Sequence, residues 1–190
     1  YEKNKGLILP EKVPYLGMGG SYFAAVTLRH LGVRIFPEIA GEYFYYIKDL
    51  KQFENSVIIS QSGRTTDVLN CASCFKEFIA IVNDLDSPLA NQPNLRFAVP
   101  LHAGHEFFSS TKTFVNTLVA LYLGHGFDVK SIIDSIDRRY AEIEAFGYSL
   151  GESFYKRIKK QKARCFILGS GPNIGVACQA ALMLSESVKY

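Results

Sequence analysis

One short segment of this sequence is rich in hydroxyl side chains, the stretch SQSGRTTD from Ser60 to Asp67. It places four serine and threonine residues within seven positions, around the single glycine Gly63. A helix N-cap uses only one such side chain, so the others must be solvated, hydrogen-bonded locally or directed at a ligand. The segment is therefore a candidate binding loop for an anion such as phosphate.

Two further loops have residue types that could bind an anion. GMGGS, from Gly17 to Ser21, contains glycines that let backbone amides approach a ligand, and AGHEFFSSTKTF, from Ala103 to Phe114, brings several hydroxyl residues to the start of a long apolar helix. Free amides and the helix dipole favour negative charge at a helix N-terminus. In a single loop, ordinary N-capping would explain such residues more simply.

The motifs of several other ligand-binding loops are absent. A dinucleotide fingerprint needs a third glycine at position 22 or 174, where the chain has Tyr22 and Ile174. The sequence contains neither the Gly-Lys-Ser/Thr of a Walker loop nor the G-x-S-x-G of a hydrolase elbow. Phosphate binding by hydroxyls and amides remains, as expected for a small phosphorylated metabolite.

The elements that must position these loops alternate in the pattern of β-α units. Short apolar runs bounded by glycine, serine or proline predict strands, and longer runs of helical period predict helices. The predicted strands are 13–16, 34–37, 56–60, 78–82 and 96–99, and the predicted helices are 22–31, 65–75 and 111–123. Ligands of a parallel α/β sheet bind at the carboxyl ends of its strands, where all three loops are expected.

The rest of the chain predicts a second, incomplete domain. Residues 129–162 are more charged, with apolar side chains in helical register, which is typical of a connecting arm. The segments around Gly17 and Gly169 share a Leu-Gly-x-Gly core, which indicates two homologous domains in tandem. The predicted divisions are a first domain at 12–125, a helical connector at 126–162, and the first strand and helix of a second domain at 163–190.

Composition argues against several function classes. The net charge is only +3, so a concentrated basic face for nucleic acid is not expected, and no apolar run reaches the ~18 residues that cross a bilayer. Cys71 and Cys74 have the two-residue gap of some zinc and redox motifs, but no histidine falls near enough to complete four ligands. We interpret the four cysteines as buried, reduced thiols of a cytoplasmic protein, and we predict no metal and no cofactor.

In this order and at this spacing, GMGGS, ISQSGRTTDV and SSTKTF resemble the three ligand loops of sugar isomerase (SIS) domains, notably the isomerase half of glucosamine-6-phosphate synthase. The resemblance implies a three-layer αβα sandwich with a mostly parallel, five-stranded, flavodoxin-like sheet. It also implies a sugar-phosphate ligand, such as fructose 6-phosphate or a sugar like glucosamine 6-phosphate. The substrate-binding residues that it assigns are Gly19, Gly20, Ser21, Ser60, Gln61, Ser62, Thr65, Ser109 and Ser110.

The ending ALMLSESVKY resembles the helix that carries the family's catalytic glutamate, which would make Glu186 the base that moves a proton between C1 and C2. Without the resemblance, an ion pair with Lys189 would be the simpler interpretation. The sequence departs from the synthase at Arg64, where an acidic residue is typical, and at Met183, which replaces a lysine. His105 lies in the third loop and could reach a ligand, but the family has no fixed histidine there.

Several activities fit these implications. The reaction would be aldose–ketose isomerisation, or deamination or deglycation of an amino or amino-acid-conjugated sugar 6-phosphate, since each uses the same proton shuttle at C1 and C2. An amide-transferring synthase would also need a glutamine-hydrolysing domain. The alternative is a regulatory module that binds phosphosugars without catalysis, because the same fold serves in regulators. SIS sites commonly borrow groups from a neighbouring subunit, so the resemblance also implies a homodimer.

Overall fold

The computed structural model of the 190-residue chain describes residues 2–160 and 164–188. The chain divides into two compact units, of which one runs up to Phe127 and resumes at Ile167, and the other is Asp128–Phe166. The first unit contains the sheet and all three candidate loops. None of the helices in the described ranges is both long enough and apolar enough to span a bilayer.

The first unit is built on a five-stranded sheet in which every neighbouring pair is parallel. Its order is β2-β1-β3-β4-β5, so the strand order reverses between β1 and β3. This is the flavodoxin-like order, in which ligands bind outside the carboxyl ends of the strands at the reversal. The predicted α/β class and parallel sheet are confirmed. The strands are β1 (Pro14–Gly17), β2 (Phe36–Ile39), β3 (Asn55–Ser60), β4 (Glu77–Val82) and β5 (Leu95–Pro100).

Helices connect the strands and continue beyond the sheet. The helices are α1 (Gly20–His30), α2 (Ala40–Glu42), α3 (Thr66–Ala72), α4 (Lys112–Gly124), α5 (Val129–Lys160) and α6 (Asn173–Val188). A turn of π-helix at Tyr43–Ile47 continues α2, and 3₁₀ turns lie at Glu2–Asn4 and Leu89–Asn91. Each strand and helix predicted up to residue 124 is present, with its ends displaced by three residues at most.

Two hydrophobic cores cover the two faces of the sheet. Because successive side chains of a strand point to opposite faces, Val57 and Ile59 of β3 join the core formed with α1 and α4, which includes Leu121. Ile58 lies between them in sequence and joins the opposite core, with Val68 of α3. Burial on both faces explains why this strand is continuously apolar. The predicted three layers, helices on both sides of one sheet, are confirmed.

The second unit is dominated by α5, a helix of 32 residues. Ion pairs three and four positions apart line its exposed surface, with distances of 2.7 to 3.2 Å between the charged atoms. Exposed pairs of this kind stabilise a helix by ~0.3–0.5 kcal/mol each. Residues 129–160 are thus helical, as predicted, and residues 161–163 lie outside the described residues. The function of this helix as a connector between two domains stays a prediction.

The segment before α6 does not form the strand that the sequence predicts for it. Residues 164–170 form no strand, because in the described part of the chain this segment pairs with no neighbouring strand. Helix α6 packs against α1 of the first unit, and the approach is close at Gly175, where an added Cβ would collide with the Phe23 carbonyl oxygen and Thr27. Assignment of 163–190 to a second domain stays a prediction.

The cysteines are all free thiols, as predicted, but only one of the four is buried. Cys71 is buried between α3 and the sheet, where burial raises the pKa of its thiol to about 12. Cys74 and Cys178 are half-buried. Cys165 is exposed, contrary to the prediction, because it lies in the segment that forms no strand and therefore joins no core.

Candidate functional site

The three candidate loops leave the carboxyl ends of three strands. The first, Gly17–Ser21, begins at the last residue of β1, the second, Ser60–Asp67, begins at the last residue of β3, and the third, Ala103–Phe114, follows β5. The first two loops lie side by side, because β1 and β3 are neighbours where the strand order reverses. The third loop starts from β5, at the edge of the sheet, and it is long enough to reach the other two loops.

A small cavity of about 170 Å³ lies between these loops. All three loops contribute to its lining, and an apolar wall comes from Met18, Ile59 and Val68. The structure thus brings together seven of the nine predicted substrate-binding residues, whose role as ligand contacts stays a prediction. These seven are Gly20, Ser21, Ser60, Gln61, Ser62, Thr65 and Ser110.

The second loop is held by hydrogen bonds from its own backbone. Ser60 is buried, and its Oγ accepts a hydrogen bond from the Gly63 amide at 3.1 Å. Ser62 Oγ accepts one from the Arg64 amide at 3.3 Å. A hydroxyl that accepts from an amide keeps its own hydrogen free to donate. Thr65 is the N-cap residue of α3, yet its side chain makes no capping hydrogen bond, so capping does not account for these hydroxyls.

The third loop folds back so that Glu106 caps α4. Its Oε1 accepts hydrogen bonds from the Thr111 and Lys112 amides at 2.8 and 2.7 Å, and also from the Thr111 hydroxyl. Its Oε2 accepts hydrogen bonds from the hydroxyl and amide of Thr113. The amides at the start of α4 are therefore already bound by a carboxylate of the chain, and ligand binding by this loop stays a prediction. Ser110 still faces the small cavity.

Comparison with known proteins relates this geometry to a family. No family model matches the chain. Glutamine–fructose-6-phosphate aminotransferase (isomerizing) of Sulfolobus acidocaldarius is 27% identical over 191 residues, which cover 92% of this chain and 31% of that protein. The protein of the same name from Pseudomonas aeruginosa is 30% identical over 197 residues, which cover 92% and 32%.

A solved structure agrees in fold. The crystal structure of glucosamine-6-phosphate deaminase from Thermotoga maritima superposes with a TM-score of 0.63 and 26% sequence identity, over 92% of this chain and 57% of that chain. The chain is thus homologous to these aminotransferases and shares the SIS fold of the solved structure. It spans about a third of the length of the curated relatives that it matches.

Two of the predicted SIS site residues do not line the small cavity. Gly19 has a φ of 51° and turns the chain into α1, and an added Cβ would lie 3.2 Å from Leu182 of α6. It therefore shapes the first loop through its backbone. Ser109 is half-buried in the third loop, beside Ser110 but outside the lining.

Glu186, the predicted base of the SIS site, is exposed on α6 and lies outside the lining of the small cavity. The helical face that packs on the first loop carries Gln179 and Leu182, and Glu186 follows one turn after Leu182 on that face. The simpler alternative, an ion pair with Lys189, concerns a residue outside the described ones. The catalytic role of Glu186 stays a prediction.

A second, wider cavity of about 710 Å³ adjoins the small one through the shared residues Gln61 and Ser62. Arg64, one of the departures from the family, lies in its wall and forms an exposed ion pair with Asp84 at 2.8 Å. His105 also lines this wider cavity and is absent from the small one. Within 2–160 and 164–188, no cluster of three or more His, Cys, Asp or Glu side chains could hold a metal ion.

Two polar residues beside the candidate site were not predicted from the sequence. Glu106 caps α4, and its only sequence signal was an acidic residue in the loop before a helix start. Gln179 of α6 is buried, and its Nε2 donates to the Ser110 carbonyl at 2.8 Å, a contact between residues 69 positions apart. No local pattern signals a contact of that kind.

We expect Glu106→Gln to lower the free energy of unfolding at pH 7 by ~1–2 kcal/mol, the range for a lost helix cap. Burial raises the pKa of Glu106, but its hydrogen bonds with the Thr113 and Thr111 hydroxyls and the Thr111 and Lys112 amides outweigh this and lower it to about 2. Because the folded pKa is lowered, the stabilisation is complete above the ordinary value of 4.5 and is lost as the pH falls toward 2.

Urea unfolding at pH 7 and pH 3 measures this effect. The difference in stability between wild type and variant should shrink at the lower pH. Glu144→Gln, which changes an exposed glutamate of α5, is the matched control and should have little effect at either pH. An equal difference at both pH values would contradict a charge-dependent cap.

Proposed function

We propose that the chain binds a sugar phosphate in the small cavity and belongs to an enzyme that moves a proton between C1 and C2 of that sugar. The observation that carries the proposal is the convergence of seven residues from three separate loops on one cavity at the reversal of strand order. The names of the relatives support it, since both the aminotransferase and the deaminase are named for sugar 6-phosphates.

The second loop is suited to hold the phosphate. The hydroxyl hydrogens of Ser60 and Ser62 are free to donate, because both oxygens accept from backbone amides, and Thr65 adds a hydroxyl that does not cap its helix. Hydrogen bonds to a charged group are shorter and stronger than those between neutral groups. This loop can therefore anchor a phosphate without a cation.

The volumes of the cavities suggest how the rest of the ligand lies. The small cavity, at about 170 Å³, is below the ~300–1,000 Å³ of pockets that enclose a whole small molecule. The phosphate and its adjacent carbons would fill it, and the rest of the molecule would extend beyond it. Gln61 and Ser62 line both cavities, so the rest of the ligand would extend past them into the wider cavity.

Glu186 is our candidate for the base. Removing a proton next to a carbonyl or imine needs a carboxylate within reach of C1 and C2, and such catalytic contacts often form only when the substrate is bound. Its helix packs on the first loop through Gln179 and Leu182, and Glu186 follows Leu182 by one helical turn, which supports the proposal. Isomerisation, deamination and deglycation would all use this step, and it requires no metal or organic cofactor.

A second candidate function is phosphosugar binding without catalysis. Two observations favour it: Glu186 is exposed and outside the cavity lining, and Met183 stands where the synthase has a lysine. Solvent deuterium exchange at C1 or C2 of fructose 6-phosphate, measured with the protein as its gene encodes it, separates the two. Binding with no exchange would establish the regulator and exclude the enzyme. A homodimer, proposed from the family resemblance, is checked by sedimentation of the same protein.

We expect Ser62→Ala and Thr65→Val each to weaken binding of fructose 6-phosphate by ~1–3 kcal/mol, or roughly 5- to 150-fold in Kd. Each change removes one hydroxyl donor from the phosphate and leaves the fold intact. Titration calorimetry gives the affinities. Ser73→Ala is the matched control, because Ser73 is exposed at the far end of α3, where its hydroxyl donates to the Asn70 carbonyl.

The result that would overturn the proposal is an unchanged affinity in both site variants. The ligand would then be bound outside the second loop. Loss of affinity in the Ser73 control as well would indicate an indirect effect through α3.

A further inference from the structure

Gln179 of α6 is a buried amide that reaches two of the three site loops at once. Its side chain is 3% exposed. Its Nε2 donates to the Ser110 carbonyl in the third loop at 2.8 Å, and its Oε1 would lie 2.7 Å from a Cβ added to Gly20 in the first loop. Both Gly20 and Ser110 line the small cavity. Gln179 therefore stands directly behind two walls of the site.

The Oε1 atom of Gln179 is buried and has no hydrogen-bond partner among the described residues. A buried acceptor without a partner destabilises a fold, and an apolar side chain of similar shape would avoid that loss. Fold stability therefore does not explain a glutamine at this position. The explanation must lie in what its other end holds, which is the backbone of Ser110.

The contact with Gly20 sets how closely α6 approaches the first loop. A glycine leaves room for the Gln179 amide, whereas any side chain at position 20 would displace it. Gly175 and Leu182, on the same face of α6, pack against α1 and Gly19 in the same way. Glu186 is next on this face, so the helix seated by Gln179 is the one that carries the proposed base.

We infer that Gln179 is a positioning residue of the sugar-phosphate site, which ties the third loop to α6 and fixes the spacing between Ser110 and the first loop. This inference rests on the proposed function, since the site that it positions is the proposed phosphosugar cavity. Gln179 acts through Ser110 and Gly20 and does not itself touch the ligand, because its amide is buried behind them.

The variant Gln179→Met tests this inference without any ligand. Methionine fills similar space, removes the unpartnered acceptor and cannot donate to Ser110. We expect backbone amides of residues 109–113 to exchange hydrogen about fivefold faster, the effect of one lost hydrogen bond on local opening. Amides of β3 should exchange at the wild-type rate, and Tm should be equal to or higher than that of wild type.

The variant Gln179→Glu adds a readout that a purely structural role would not move. An ionised carboxylate cannot donate to the Ser110 carbonyl, whereas a protonated carboxyl group can. The protection factor of residues 109–113, corrected for intrinsic exchange, should therefore rise toward the wild-type value as the pH is lowered. Gln52→Met, which changes an exposed glutamine before β3, is the matched control and should alter neither loop nor Tm.

A binding measurement completes the test. For Gln179→Met we expect the Kd for fructose 6-phosphate to rise roughly fivefold while Tm does not fall below that of wild type. Wild-type protection in 109–113 of this variant would overturn the inference, and so would a uniform loss of protection that includes β3. If the wild type itself binds no sugar phosphate, the proposed function fails, while the exchange measurements still decide whether Gln179 ties the loop to α6.

Discussion

Replacing Glu186 by glutamine is expected to slow deuterium exchange at C1 or C2 of fructose 6-phosphate by ~10²–10⁴-fold, the usual contribution of a general base. Glutamine has the shape of glutamate but cannot accept a proton. The measurement is the NMR rate of solvent deuterium incorporation into the sugar, with the protein as its gene encodes it.

Binding should not change in the same variant. The phosphate is anchored by the second loop, and Glu186 does not line the small cavity, so the Kd of Glu186→Gln should equal that of wild type. Ser187→Ala is the matched control, because Ser187 is the exposed neighbour of Glu186 on α6. Exchange at the wild-type rate in Glu186→Gln would remove Glu186 as the base, and the base would then have to be sought elsewhere.

The proposed role of Glu186 depends on how α6 is held against the rest of the first unit. Its position follows from three contacts on one face of α6, those of Gly175 with α1, Gln179 with Gly20, and Leu182 with Gly19. These contacts keep the face that carries Glu186 directed to the first loop. No residue of α6 lines the small cavity, so the proposed role of Glu186 requires the ligand to extend from the cavity toward this face.

The sequence predicted the elements of the sheet well for a physical reason. Strands buried on both faces, such as 55–60, must be apolar throughout, so their composition alone marks them. Loops that follow such strands can be found in the same way. The family resemblance then assigned the site residues within these loops, and seven of those residues line one cavity.

What the sequence did not predict depends on contacts between distant parts of the chain. Glu106 reaches the start of α4 only because the third loop folds back, and Gln179 meets Ser110 across 69 positions. The strand predicted near Phe166 is absent because it too depends on distant parts of the chain. An apolar run becomes a parallel strand only if a neighbouring strand is available to pair with it, and no strand pairs with residues 164–170 in the described chain.

Gly63 is a position where the second loop tolerates no side chain. Its φ is 61°, in the left-handed region, and its amide donates to Ser60 Oγ while its carbonyl accepts from the Leu89 amide at 3.1 Å. An added Cβ would lie 2.5 Å from the Cβ of Ser87 and still closer to its hydroxyl oxygen. Ser87 is fully buried, so it cannot turn away into solvent.

We expect Gly63→Ala to lower the free energy of unfolding by on the order of 3 kcal/mol, from backbone strain together with overpacking. Binding should suffer as well. Displacing Gly63 shifts Ser60 and Ser62, so the Kd for fructose 6-phosphate should rise by more than about tenfold, the effect of losing hydrogen bonds to a charged group. Urea unfolding and calorimetry measure the two effects.

Two comparison variants distinguish backbone strain at Gly63 from the steric clash with Ser87. Gly32 also has a positive φ, but an added Cβ there meets nothing within 4 Å, so Gly32→Ala should lose only ~1–2 kcal/mol of stability and no affinity. Removing the obstacle in Gly63→Ala/Ser87→Gly should restore much of the affinity, because the second loop can then return to its position. If the double variant binds no better than Gly63→Ala, contact with Ser87 does not shape the phosphate loop. Gly63 would then act through its backbone conformation alone.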